Sequence, residues 1–516
     1  MEVLWIGAAF VLGLLGRQVG LPPLAGYLTA GFVLHAFGFE GGPTLAAVAH
    51  TGVLLLLFSV GLKLDLRSLF HQSILGTALL HISVTGGLLG FVLFATTDLN
   101  WYGALFLAVT LGFSSTVLAA KALEDRREIR AFHGRITIGI LIVQDLVAVG
   151  ILSFSGGHAP SPLAFLLLGL PLLRPLLHRL LQYSGHDELL VLFGLLLALV
   201  GGAAFEQVGL SSELGALVLG GLLSGHNKAI ELFKSLWGLK EAFLAGFFLQ
   251  ISLTGWPGET GLLYLALLML LLPLKSVLFF FLLLVFNLRS RSAFLVSLGL
   301  SSYSEFALIC IPVGIAAGWV TPDWAVILAL AVTLSFMVAA PINRMAHRLY
   351  ASLEPRLLSL QTTKRHPDEQ PLLLGKSHFV VLGMGRSGTA AYDFLSRHGM
   401  RVAGLESDPT KVALHRKAGR RVMFADGEDP GLWHHLVLDE VEAVMMTMPD
   451  VPTVSVSAMQ LRKHGFTGLI GATCRHRDED QLLIDAGVDL TMLTYEESGV
   501  GLAELVVEAM KKTQPE

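Results

Sequence analysis

"LIVQDLVAV", Leu141–Val149, sets a carboxylate in the middle of an apolar run, with Gln144 as the only other polar residue in it. Ionising a side chain at the centre of a bilayer costs at least ~2.5–3.5 kcal/mol. Whether this run crosses a membrane, and what then makes Asp145 tolerable there, decides the fold of the chain and points to what it does.

The run has many companions. Of the 516 residues, 53% are hydrophobic and 15% charged, where a soluble protein carries roughly 25% charged residues. Mean hydropathy is +0.66. Apolar stretches of about 18–25 residues, enough to cross a ~30 Å hydrocarbon core as helices, recur along the first two thirds of the chain. They predict about 13 spans, near 2–18, 22–38, 46–63, 72–95, 101–121, 136–155, 161–178, 187–205, 209–224, 241–254, 260–286, 292–318 and 323–344.

Charge in the connections alternates. One set carries Arg17; Lys63 and Arg67; Lys121, Arg126, Arg127, Arg130 and Arg135; Arg179; Lys228, Lys234 and Lys240; Arg289 and Arg291; Arg344 and Arg348. The other set, around Glu40, Asp98, Gly157, Glu206, Pro257 and Asp323, has no Lys or Arg. The positive-inside rule puts the first set in the cytoplasm and the N-terminus outside. The first run carries Arg17 and leads at once into another span, so no removable signal peptide is expected. Cys310 and Cys474 lie far apart in dissimilar surroundings and imply no disulfide framework.

After Arg348 the character changes. Glu354–Gln370 is polar and punctuated by proline, the composition of a linker. From about His378, short apolar runs alternate with amphipathic ones, the pattern of βαβ units around a parallel sheet. The expected organisation is a membrane domain over 1–350, a linker over 351–375, an α/β domain over 376–497 on the cytoplasmic side, and a short tail over 498–516.

Three titratable groups sit at membrane depth: Asp145, Lys275 in "LLPLKSVLFF" and Glu305 in "LGLSSYSEFALICIP". Facing lipid they would cost roughly 8–10 kcal/mol together, so they face a cavity or one another. Gly112 to Thr116, which includes Ser114 and Ser115, interrupts the fifth span, and a second Ser-rich cluster interrupts the twelfth. Broken helices of this kind supply carbonyls and helix-end dipoles to midplane ion sites, and non-helical backbone at that depth needs a cavity or protein around it. The plain alternatives are that Ser and Thr bond their own helices, that Asp145 and Lys275 form a permanent pair locking two helices, and that Glu305 makes a structural polar contact.

"GVLLLLFSVGLKLDLRSL", "LGFSSTVLAAKAL", "GILIVQDLVAVGIL", "GLSSELGALVLGGLLSG" and "LGLSSYSEFALI" together resemble the Kef-type monovalent cation:proton antiporters, over essentially the whole chain. The resemblance implies an inverted-repeat antiporter fold, with broken helices crossing near the ion site, and a homodimer. It makes Gln144 and Asp145 the ion-binding pair, Lys275 the family's buried lysine, and Ser114, Ser115 and Thr116 the first break. Two departures, Lys63 in "GLKLD" where "GLELD" is common and the polar "LQISLTGW", leave K⁺ against Na⁺ open. A carboxyl in such a cavity is shifted by desolvation toward the range where a proton and a cation compete. One carboxylate holding one charge at a time predicts electroneutral exchange of K⁺ for H⁺ at Asp145, with Na⁺ or mixed selectivity as the near alternative.

In the α/β part, "VVLGMGRSGTAA" contains Gly383, Gly385 and Gly388 as G-x-G-x-x-G, after a strand and opening a helix, with Glu406 following at the end of "RVAGLES". That is the dinucleotide-binding context: glycines for close approach of phosphate to a helix N-terminus, then an acid for ribose hydroxyls. Arg386 could reach a phosphate. The domain resembles the regulatory, nucleotide-binding TrkA-type domains, which implies AMP or NAD(H) as a regulatory or structural ligand without redox turnover, and Asp426 as an adenine-side contact. Arg475, in "GATCRHRDED", matches a basic position tied to glutathione control in Kef-type proteins, with Cys474 beside it as a redox sensor or a small buried hydrophobe.

The implied partners are a monovalent cation, protons, an adenine nucleotide, the lipid of an inner membrane and a second copy of the chain, with no nucleic acid. A nucleotide-regulated K⁺ channel is the rival of a different class; no "TVGYG"-like carbonyl filter speaks for it. An NAD-dependent membrane oxidoreductase is the third reading, and the soluble part offers no acid/base constellation for it. The expected protein is not an enzyme.

Overall fold

The computed structural model describes residues 2–19, 21–63, 72–126, 128–129, 131, 132–153, 161–226, 228–361, 366, 374–425, 427, 432, 436, 438–448 and 450–513. Asp426, Arg67, Arg127 and Arg130 lie outside the described residues. The chain divides into two compact units, Met1–Ile129 with His133–Lys364, and Arg130–Phe132 with Arg365–Glu516.

The first unit is all helix: α1 (Glu2–Gln18), α2 (Pro23–Ala36), α3 (Pro43–Leu62), α4 (Gln72–Thr96), α5 (Trp101–Gly112), α6 (Thr116–Asp125), α7 (Phe132–Ser153), a 3-10 stretch (Pro162–Leu173), α8 (Arg174–Tyr183), α9 (Glu188–Gln207), α10 (Ser212–Leu223), α11 (Ala229–Ser252), α12 (Glu259–Val285), α13 (Ser290–Gly299), α14 (Glu305–Ala316), α15 (Asp323–Arg344) and α16 (Ala346–Ser359). Among the described residues seven segments are long and apolar enough to cross a membrane, counting α5 and α6 together as one, and α1, α10 and α14 are shorter apolar helices. This is a multi-pass membrane protein.

Small residues let these helices approach closely, the packing device of membrane bundles. A Cβ at Gly215 on α10 would lie 2.0 Å from the Gly201 carbonyl on α9, and one at Gly61 on α3 would lie 2.3 Å from the Leu217 carbonyl on α10. The fifth and twelfth expected spans are each two helices with an extended break between, 113–115 and 300–304. The tenth expected span differs. It was expected near 241–254, yet α11 begins at Ala229, because "AIELFKSLWGLKEAF" repeats its apolar residues at helical spacing around its charges. The seventh differs as well: Pro162–Leu173 is a 3-10 stretch with Pro171 inside it, and the α-helix begins only at Arg174.

The second unit is a six-stranded parallel sheet, β1 (Phe379–Leu382), β2 (Val402–Glu406), β3 (Val422–Phe424), β4 (Ala443–Met446), β5 (Leu469–Cys474) and β6 (Leu490–Leu493), in the order β3-β2-β1-β4-β5-β6. Helices α17 (Arg386–Arg397), α18 (Pro409–Lys417), α19 (Val451–Lys463) and α20 (Arg477–Asp485) connect them. The order reverses between β1 and β4, which is where such folds bind ligands at the carboxyl ends of their strands. A final helix, α21 (Thr494–Thr513), runs through position 498, where the sequence suggested the start of a tail. The linker region likewise opens with α16, an amphipathic helix that crosses position 351.

Candidate ion-exchange site and nucleotide-binding fold

The two breaks meet. Ser114 Oγ donates to the Leu300 carbonyl at 2.9 Å, and the Ser115 amide donates to Ser302 Oγ at 3.4 Å. At each break a chain that has lost helical hydrogen bonds needs substitutes. Gln144, on α7, supplies two of them: its Oε1 accepts from the Ser114 amide at 2.9 Å and its Nε2 donates to the Gly112 carbonyl at 3.2 Å. The side chain bridges the gap much as a helical turn would.

Lys275, on α12, supplies three more. Its Nζ donates to the carbonyls of Leu111 (3.2 Å), Phe113 (2.5 Å) and Ser302 (2.8 Å). These carbonyls belong to the C-terminal end of α5 and to the break that follows α13, where helix dipoles are negative. The ammonium therefore sits where both half-helices end. Tyr303 fixes the second break from the other side: its hydroxyl donates to the Leu268 carbonyl at 2.6 Å and its amide donates to Ser335 Oγ at 3.1 Å.

Asp145 is left to the opposite, positive half-helix end. It is 3% exposed, and Thr116 Oγ1, at the first position of α6, lies 3.3 Å from both its oxygens. Ser115 caps α6 by accepting from the Leu118 amide at 3.2 Å. Glu305 is the first residue of α14 and is buried. Neither of its carboxyl oxygens makes a hydrogen bond among the described residues, and the Ser115 hydroxyl beside it still has a proton to offer.

In the second unit Gly383 closes β1 with φ +87°, a left-handed conformation that favours glycine. A Cβ at Gly388 would lie 2.0 Å from the Gly383 carbonyl and 2.5 Å from Thr447 Oγ1, whereas one at Gly385 would meet nothing within 4 Å. The third glycine thus permits helix–strand packing, and the second leaves open space before α17. Arg386 is exposed at the start of α17. Glu406, buried at the end of β2, accepts from the Asp408 amide at 3.0 Å and lies 3.7 Å from Lys411 Nζ. These residues fit a dinucleotide phosphate on the α17 N-terminus and a ribose at Glu406.

Arg475 is exposed just after β5, its amide donating to Glu479 Oε2 at 2.8 Å. Cys474 is 2% exposed and its thiol is turned to the Met492 carbonyl. Burial pushes that thiol's pKa up, with Asp480 and Glu479 acting in the same sense, so little reactive thiolate forms near neutral pH.

Residues 6–344 match the family described as sodium/hydrogen exchanger, transmembrane, and residues 379–494 match the TrkA-N domain. The chain belongs to the sodium/hydrogen exchanger family. It is 28% identical over 515 residues to the glutathione-regulated potassium-efflux system protein KefC of Salmonella heidelberg (strain SL476), covering 94% of this chain and 81% of the relative. To the protein of the same description from Salmonella arizonae it is 27% identical, covering 98% and 84%. The TrkA-N domain of the inner membrane protein ybaL from Escherichia coli is 19% identical over 25% of this chain and 96% of that one, with a TM-score of 0.24.

An exchanger domain followed by a TrkA-N domain is the organisation of a cation:proton antiporter with a nucleotide-binding regulatory domain, which the motifs quoted above led one to expect. Sequence reasoning missed His81. It is fully buried on α4, with Thr85 Oγ1 at 3.3 Å from its Nε2 and its ring stacked on Phe279, one turn along α12 from Lys275. The signal was present: Thr77, His81 and Thr85 recur every four residues on one face of an apolar helix, and all three are buried.

Proposed function

We propose that this exchanger moves K⁺ out of the cell against H⁺, one for one, and that cation and proton compete for Asp145. The observation that carries this reading is that, among the described residues, Asp145 is buried without a basic partner at hydrogen-bond distance, while Lys275 gives its protons to three carbonyls. A buried carboxylate in that position must be neutralised by something mobile, either a proton or a cation.

When a cation arrives, the proton leaves Asp145, and the freed carboxylate with the Thr116 hydroxyl provides oxygen ligands suited to an alkali ion. Gln144 holds the first break in shape, since both ends of its amide are occupied. Ser114 and Ser115 tie the two breaks together. Glu305, at the positive end of α14, is a second carboxyl within the same crossing and takes part in the proton's path. Potassium is preferred over sodium here on the strength of relatives named as potassium-efflux systems.

The membrane domain spans 1–350 as about 13 crossings, with the N-terminus outside and the linker 351–375 leading to a cytoplasmic regulatory domain at 376–497. That domain takes NAD(H) or AMP on Gly383, Gly385, Arg386, Gly388 and Glu406, with Asp426 toward the adenine. The nucleotide supplies charge and shape for regulation, and the domain performs no chemistry on it. Relatives named as glutathione-regulated support glutathione as a further regulator near Arg475. The working unit is a homodimer in the inner membrane.

The test is proton movement in proteoliposomes holding a pH-sensitive dye. K⁺ or Na⁺ is added across a preset pH gradient, with wild type beside Asp145→Asn. Collapse of the gradient by K⁺ in wild type alone supports the reading. Collapse by Na⁺ alone replaces the cation, and no collapse by either ends it.

A further inference from the structure

Glu128 lies in the connection between α6 and α7 and is 6% exposed. Its two oxygens are taken by two imidazoles from different elements. His133 Nε2, in the first turn of α7, is 3.1 Å from Oε2, and His347 Nε2, in the first turn of α16, is 2.5 Å from Oε1. Arg126 Nε lies 3.6 Å from Oε2. On its other edge His347 presents Nδ1 to Arg291 Nη2, at 3.3 Å, in the first turn of α13.

These contacts fix a tautomer. A guanidinium only donates, so Nδ1 of His347 must accept, and the ring proton must sit on Nε2, from which it is given to Glu128. In that state the imidazole is neutral and bridges two things at once. One is α13, the half-helix that ends at the second break. The other is the connection leading into α7, which carries Asp145. An added proton can enter only at Nδ1, where it sets donor against donor and cation against cation at Arg291. The Glu128 half of the bridge survives protonation and the Arg291 half does not.

Burial alone would raise the Glu128 carboxyl, but the hydrogen bonds from His133 and His347 outweigh it and hold its pKa well below the usual carboxylate range. Glu128 therefore stays ionised at any physiological pH. The elements packed here bring Arg135 on α7, Arg289 and Arg291 at α13, Arg344 on α15, and Glu124 and Glu354 on α6 and α16.

We propose that Glu128, His133 and His347 form a proton-binding site separate from Asp145, and that proton uptake there breaks the His347–Arg291 contact and slows exchange. The consequence is a brake applied by acid on the face of the membrane from which α16 emerges. It rests on the exchange reading above, and concerns only its regulation.

The experiment uses the full chain in proteoliposomes at saturating cation, with pH lowered from about 8 to about 5.5 on each face in turn, the interval in which imidazoles titrate. Wild type should lose about fivefold or more of its rate when the α16 face is acidified, the low end of inter-site couplings. His347→Gln, whose amide can accept from Arg291 and donate to Glu128 at any pH, should keep its rate on acidification. His347→Lys should be slow throughout. A Gln variant that slows in parallel with wild type overturns the proposal, as does a wild type indifferent to pH on that face. Hydrogen exchange of residues 346–352 in wild type, which needs no variant to fold, should quicken on acidification, and an unchanged rate also overturns it. If wild type exchanges no cation, the transport reading fails while the hydrogen-exchange arm still judges the proton site.

Discussion

Lys275 is bonded to Phe113, not to Asp145: its Nζ lies 2.5 Å from the Phe113 carbonyl, while the Asp145 carboxyl is met by Thr116 Oγ1 at 3.3 Å from both its oxygens. The lysine is a keystone for the two breaks, and on the exchange reading proposed above the aspartate is left to a proton or a cation. The consequences of removing them should therefore be opposite. Lys275→Met leaves three buried carbonyls without a donor, at about 1–3 kcal/mol each, so it should lower thermal stability in detergent by about 3 kcal/mol or more. Asp145→Asn removes a buried charge and should melt no lower than wild type while abolishing exchange. Fluorescence-monitored melting of the two variants decides this. Equal losses of stability would return the permanent pair.

This distinction was not legible in the sequence. That Lys275, Asp145 and the Ser-rich breaks belong together could be read from their depth in apolar runs, because each is locally anomalous. Which partner the lysine takes depends on carbonyls distant in sequence, those of Leu111 and Phe113 being 164 and 162 positions away and that of Ser302 27 away, and every residue has a carbonyl. The same holds for Glu128 and His347, which are 219 positions apart and each unremarkable in a polar connection. The α/β domain was readable almost throughout, since strand, glycine turn and helix follow one another in a short stretch. The start of α11 is hidden because Lys234 and Lys240 have the composition of a connection between spans, although they ride on a helix.

Gln144 makes a separate prediction. If its amide bridges the first break and does not ligate the cation, Gln144→Leu should lower the exchange rate strongly, since the Ser114 amide and the Gly112 carbonyl lose their partners at about 1–3 kcal/mol each. The order of preference among K⁺, Na⁺ and Li⁺ should stay as in wild type. Rates with each cation in the dye assay give the order directly. A changed order would make Gln144 an ion ligand.

Glu128 predicts how stability responds to acid. Its pKa is depressed in the folded protein, so the stability it contributes is present above the unfolded value of about 4.3 and is lost as pH falls below it. The melting difference between wild type and Glu128→Gln should persist down to the ordinary carboxylate range and shrink below about pH 4. A difference that vanishes near pH 6 would mean that the carboxylate is not held by its imidazoles.

The glycines of the nucleotide fold separate folding from binding. A Cβ at Gly388 meets the Gly383 carbonyl at 2.0 Å and Thr447 Oγ1 at 2.5 Å, and the backbone carbonyl cannot turn aside as the end of a flexible side chain could. Gly388→Ala should therefore lower the melting temperature of the TrkA-N domain even without nucleotide. A Cβ at Gly385 meets nothing within 4 Å, so Gly385→Ala should fold normally. What it should lose is the close approach of phosphate to the α17 N-terminus, which needs that space. NAD(H) or AMP at a hundredfold excess over its dissociation constant stabilises a folded protein by about 2.7 kcal/mol, and the shift in melting temperature reads this out. Wild type should show the shift, and Gly385→Ala should lose most of it at the same ligand concentration. An undiminished shift in Gly385→Ala would place the phosphates away from α17 and make the glycine motif a packing device alone.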